Sequence, residues 1–311
     1  MIAFRTDMAD ERTNIYAKYN GFENKINGID IKKEKISDKL NITRVKILDK
    51  EAEKIINKKI GDYITIDIKN INTLEEEEKE QASNIIANEL RKMINTKIIN
   101  MDEILVVGLG NEAVTPDALG PKVVKKIEIT RHILKYLPQY IDKNTRPVCA
   151  IAPGVLGTTG IETVEIIHGI VEHTKPKLLI VIDALASRSI ERISSSIQIS
   201  NTGIVPGSGV ENTRKELTEE SLGVPVIAMG IPTVVELATL ISEGIDIFID
   251  KLNEKSKSNE YLDSLKENDK YEEVKDALNT RQYNMIVTPK EIDELIINMA
   301  EIIAKGINLS V

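Results

Sequence analysis

Short apolar runs separated by glycine, proline and aspartate dominate the middle of the chain. Ile104-Leu105-Val106-Val107, Val148-Cys149-Ala150-Ile151 and Leu178-Leu179-Ile180-Val181-Ile182 have the unbroken apolar character of strands covered on both faces. A fourth run at 224–229 ends before Gly230, Ile231 and Pro232 and leads into an apolar-rich stretch at 233–249. Upstream, Tyr63-Ile64-Thr65-Ile66-Asp67-Ile68 alternates polar with apolar positions, which predicts a half-buried strand. Ala82, Ile85, Ile86, Leu90, Met93 and Ile94 then recur every three or four residues. With Thr73 and Glu76 at capping-box spacing, they predict an amphipathic helix over 73–95. Residues 123–129 also read as helical. Ile292, Leu295, Ile296, Met299, Ile302 and Ile303 form a last stripe behind Thr288 and Pro289, which predicts a capped carboxy-terminal helix. Strands that alternate with helices place the chain in the α/β class.

Two segments fall outside this pattern. Residues 1–45 are polar without sustained periodicity, and 253–279 are dense in Lys, Glu, Asp and Asn, the composition of a charged helical insertion on the surface. With these as appendages, residues 1–311 read as a single α/β domain.

Composition narrows the class. A hydrophobic fraction of 41% suits a packed core, and 49 acidic against 41 basic residues leave a formal charge of -8, which disfavours nucleic acid or an anionic membrane as partner. Cys149, the only cysteine, cannot form an intramolecular disulfide, which fits a reducing cytoplasm. The amino terminus lacks the apolar core of a signal peptide, and no run approaches the roughly 18 apolar residues of a membrane span.

The chemistry expected of an open α/β sheet sits at the carboxyl ends of its strands. Asp117 lies in the loop after the 104–107 run, within Gly108-Leu109-Gly110-Asn111-Glu112-Ala113-Val114-Thr115-Pro116-Asp117, and Asp183 directly follows the 178–182 run. Neighbouring strands would bring the two carboxyls together. Such a pair keeps one proton near neutrality, leaving one group to act as acid and one as base. The alternatives stay open at this level: Asp117 as the first-turn acid of a helix begun by Thr115-Pro116, Asp183 as a loop hydrogen-bonder.

Other chemistries are less well served. Gly108-x-Gly110-x-x-Ala113 follows a strand as a dinucleotide fingerprint does, which makes a nucleotide-binding or regulatory module the alternative from another class. Pro116, however, delays the helix to about Asp117, and Glu128 sits in the 123–129 stretch, not at a strand end. His168 and His173, five residues apart, lie about 140° apart around a helix, so no paired metal ligands result and no metal or cofactor is expected. No G-x-S-x-G elbow is present, and Cys149 reads as a small core residue.

At the glycine loop and the two aspartates the sequence resembles the germination protease family, an atypical aspartic endopeptidase family. The likeness extends to Arg5-Thr6-Asp7-Met8-Ala9, to residues 152–163 and 182–189, to Gly203-Ile204-Val205-Pro206-Gly207-Ser208-Gly209-Val210 and to residues 223–235. The resemblance implies a three-layer α/β/α sandwich with a central, mostly parallel sheet, similar to hydrogenase maturation peptidases, and makes a metal-sensing peptidase the nearest enzymatic alternative. It further implies catalytic roles for Asp117 and Asp183, small acid-soluble spore proteins as substrate, a homotetramer and a spore-core location. Family zymogens lose a short prosegment just ahead of Arg5-Thr6-Asp7-Met8-Ala9, which here follows only Met1 to Phe4. Cleavage next to glutamate, also implied, makes Arg188 beside Asp183 the candidate for a cationic subsite, with an ordinary ion pair as the alternative.

Overall fold

In the computed structural model the described residues are 6–20, 26–98, 102–142, 145–205, 215–255, 270–280 and 285–311. Residue 5, residues 206–210 of one family block and the centre of the 253–279 insertion lie outside them. The strands are β1 (Ile29–Lys35), β2 (Leu40–Ile47), β3 (Gly61–Ile68), β4 (Ile104–Gly108), β5 (Val148–Ile151), β6 (Leu178–Ala186), β7 (Ser196–Ser200), β8 (Val226–Glu236) and β9 (Ile286–Val287). The helices are α1 (Ala9–Asn20), α2 (Lys50–Ile56), α3 (Glu76–Lys97), α4 (Leu119–Val124), α5 (Arg131–Tyr136), α6 (Leu156–Thr159), α7 (Thr163–Thr174), α8 (Glu219–Leu222), α9 (Leu237–Lys255), α10 (Lys270–Thr280) and α11 (Ile292–Ser310).

The main sheet runs β1-β2-β3-β7-β8-β6-β4-β5, with β9 attached to the end of β8. Pairing is parallel from β8 through β6 and β4 to β5 and antiparallel from β1 to β8. The sheet is thus mixed, its parallel part being the half that the apolar runs mark. Even-numbered residues of β4 and β6, among them Val106, Ile180 and Ile182, join α3, α4 and α11 in one core. Leu105, Val107, Leu179 and Val181 pack on the opposite face with Ile167 and Val171 of α7. Ala9 of α1 and Ala52 and Ile56 of α2 cover Tyr63 and the β2 face. Helices on both faces complete the three layers.

Several elements differ from the sequence expectation. The 178–182 run continues to Ala186, so Asp183 lies inside β6, because Asp183-Ala184-Leu185-Ala186 keep pairing with β8. Likewise β8 runs from Val226 through Pro232 to Glu236. Pro232 lacks an amide donor but stands opposite Leu185, where the ladder shifts register before Ala186. Helix α3 begins at Glu76, not Thr73. The Thr73 hydroxyl donates to the Asn70 carbonyl at 2.9 Å, while the Glu78 carboxylate accepts the Glu75 amide at 3.0 Å. Thr288 does not cap α11, since its hydroxyl donates to the Thr233 carbonyl at 2.9 Å. The 123–129 helix stops at Val124, and Ile127 and Ile129 contact the core from a turn. The aperiodic 1–45 region holds α1, β1 and the start of β2. Most of β1 is exposed, so no apolar face announces it.

Candidate active site

β4 leads to β5 on one side and β6 leads toward β7 and β8 on the other, so the crevice between the carboxyl ends of β4 and β6 is a topological switch point. Asp183 lies on β6, and Asp117 in the turn that follows β4. The Gly108 and Ile182 Cα atoms are partners, and the Leu109 amide donates to the Ile182 carbonyl at 2.8 Å. The chain then folds back tightly. Gly110 has φ +113°, and a Cβ there would lie 1.9 Å from the Asp117 carbonyl oxygen. A Cβ on Gly108 would lie 2.2 Å from the Gly120 carbonyl oxygen. Glycine is needed because backbone meets backbone at both points. The result is a Thr115–Asp117 turn packed against β6 and β8.

Asp117 is half-buried, and its Oδ2 accepts the Asn111 amide at 2.7 Å. This contact bears on the dinucleotide reading: a loop amide that would face a phosphate is taken by the protein's own carboxylate. Asp183 is 6% exposed and its Oδ1 accepts the Ala184 amide at 2.9 Å. Residues two apart on a strand present their amides to the same side. Ile182 bonds toward the β4 loop, so the Ala184 amide and the Asp183 oxygen it binds lean to that side, the side of the Asp117 turn.

On the other side of Asp183 the sheet row continues through Gly230 to Gln198. Gly230 and Gln198 floor a cavity of about 320 Å³, walled by Asp7, Arg12, Lys58 and Thr218. Asn57, in the left-handed conformation at φ 54°, ends α2 and turns the chain so that Lys58 reaches the cavity. Burial, then the charge of Arg12, pulls the Lys58 ammonium down to about 8. Burial also pushes the neighbouring Tyr63 hydroxyl up to about 12. The Arg12 guanidinium is engaged by backbone carbonyls, its Nε with Thr6 at 2.8 Å and its Nη1 with Asn57 at 2.6 Å.

Arg188 is half-buried, its amide donates to Glu11 Oε2 at 3.1 Å, and its charge acts on Glu243 of α9, whose carboxyl burial raises. His168 and His173 both lie on α7, with His168 Nδ1 3.7 Å from Glu172. The Cys149 thiol is pushed up to about 11 by burial and by Glu103. Among the described residues no cluster of His, Cys, Asp and Glu could hold a metal ion, and no helix is long and apolar enough to cross a membrane.

Comparison with known proteins bears on the chain as a whole. A family model described as germination protease matches residues 5–263 and 253–311. The germination protease of Clostridium acetobutylicum is 46% identical over 315 residues, covering 100% of this chain and 95% of that protein. That of Caldanaerobacter subterraneus is 45% identical, covering 100% and 94%, and that of Bacillus mycoides 39%, covering 98% and 92%. Among solved structures, a NiFe hydrogenase maturation protease of Thermococcus kodakarensis KOD1 is 20% identical over 47% of this chain and 80% of that one. Its TM-score is 0.32, a level at which the likeness carries no argument.

Proposed function

Because the chain belongs to the germination protease family, we propose that it is the endopeptidase that opens the degradation of small acid-soluble spore proteins in the germinating spore core, with Asp117 and Asp183 as its catalytic pair. The observation that supports this reading is the contact of the Asp117 turn with β6, the strand that carries Asp183 one residue past its last pairing with β4. One carboxyl holds a proton and the other acts as base. As the water oxygen bonds to the scissile carbonyl carbon, the base takes a water proton. As the C–N bond breaks, the acid delivers its proton to the leaving amine, and the pair is left with one proton again. The apparent pKa values belong to the pair and not to either residue.

Arg188 and Lys58 are the candidates to receive an acidic side chain next to the cut. Arg188 follows β6, and Lys58 lines the cavity beside Gly230 and Gln198, where the Asp7 carboxylate acts on its charge. Lys58 is the better placed, since it lines the cavity and Arg188 does not. A homotetramer and a zymogen stage complete the proposal by family likeness.

The test is cleavage of a purified spore protein by Asp117→Asn and Asp183→Asn. Loss of about 10²–10⁴-fold in kcat in each is expected for removal of an acid or base. Full activity in both variants would refute the assignment.

A further inference from the structure

The segment from Thr6 to Thr13 carries four charged residues, Asp7, Asp10, Glu11 and Arg12, yet none of its residues is more than 8% exposed. Burying so much charge is costly unless each group is held. Asp7 grips Ala186 twice: its amide donates to the Ala186 carbonyl at 3.1 Å, and its Oδ2 accepts the Ala186 amide at 3.1 Å. Glu11 accepts the Arg188 amide at 3.1 Å, and Asp10 pairs with Arg192 at 2.6 Å. The Gln198 side chain of β7 ties the segment down, donating to the Asp7 carbonyl at 3.0 Å and accepting the Ala9 amide at 2.7 Å. The amino-terminal segment therefore fastens the end of β6 to the sheet.

That end needs fastening. β4 accompanies β6 only as far as Ile182, and on the β8 side the ladder shifts register between Leu185 and Ala186. Asp183 stands between these two weak points, three residues before the Asp7 contact. We infer that Asp7 is a positioning residue for Asp183, acting through Ala186 to hold the end of β6 beside the Asp117 turn. The inference rests on the catalytic reading of Asp183.

Two conservative variants separate geometry from charge. Asp7→Asn keeps an acceptor oxygen for Ala186 and removes the charge; Asp7→Glu keeps the charge and displaces the oxygen by a methylene. Asp7 also faces Lys58 and Arg12, so lost charge registers in KM and lost position in kcat. Displacement of a catalytic group by about 1 Å costs up to about 10²-fold. Steady-state cleavage by folded, purified variants should show Asp7→Glu reduced at least about tenfold in kcat with KM nearly unchanged, and Asp7→Asn within about threefold of wild type in kcat. The inference is overturned if Asp7→Glu keeps wild-type kcat, or if Asp7→Asn loses as much as Asp7→Glu. Asp183→Asn is run alongside: full activity there removes the catalytic reading, whereas an inactive Asp183→Asn beside fully active Asp7 variants removes this inference alone.

Discussion

Asp183 on β6 and Gly230 on β8 are Cα partners in a parallel ladder, so the buried carboxylate has a neighbour without a side chain. A methyl group at 230 would lie 2.4 Å from Cγ of Leu185, which also lines the cavity. Gly230→Ala should therefore push Leu185 into space proposed for substrate. The fold should persist with a stability loss of about 1–3 kcal/mol, typical of overpacking. Cleavage kinetics should show a disproportionate fall in kcat/KM; an unchanged kcat/KM at this stability loss would mean the row beside Asp183 does not receive substrate.

Gly110→Ala acts on the other aspartate. It adds a strained positive φ and a Cβ against the Asp117 carbonyl oxygen, together a cost of at least about 1–3 kcal/mol. The cheapest relief is to move the Thr115–Asp117 turn, so activity should be lost at temperatures where circular dichroism still reports a folded protein. Full activity would separate the turn from catalysis.

Lys58 provides a pH test. Its folded pKa lies near 8, below the ordinary 10.5, so between those values the unfolded chain binds more protons and stability rises with pH. Replacing the lysine by methionine should raise the denaturant midpoint at pH 7, with the gain shrinking as pH climbs from about 8 toward 10.5. The same variant should raise KM for substrates with an acidic residue at the cut more than for neutral analogues.

Glu89 tests the opposite sign, far from the site. It is buried, and burial opposes its charge. Hydrogen bonds from Arg44 at 2.9 Å and Lys92 at 2.7 Å nonetheless hold its carboxyl below the ordinary value. Its contribution is present above about 4.5 and fades as pH falls through the folded pKa. Glu89→Gln should cost about 1–3 kcal/mol near neutrality and progressively less in acid, with kcat unchanged.

Much of this architecture is legible from the residues alone. β4, β5 and β6 are covered on both faces, so their apolar runs are continuous and unmistakable, and that continuity by itself puts Asp117 and Asp183 near strand ends. The hairpin of β1 and β2 is harder, because Lys32, Lys33, Glu34 and Lys35 make an edge strand look like a polar tail. Residues 6–13 are harder still: their charges read as surface, and only Ala186, Arg188, Arg192 and Gln198, far along the chain, show why they are buried. Lys58 carries no motif, since the cavity around it is assembled from α1, α2, β7 and β8. The roles proposed for the two aspartates rest on family likeness; the crevice between β4 and β6 follows from strand order.

The long reach of the amino terminus also sets the order in which the molecule can be completed. The contacts from Asp7 to Ala186 and from Ala9 to Gln198 span 179 and 189 residues, and β3 must pair with β7. At about 5–20 residues per second, synthesis leaves the first segment waiting on the order of ten to forty seconds for its partners. During vectorial folding the segment fastened to Ala186 and Gln198 is thus made first and seated late, after β6 and β7 have emerged.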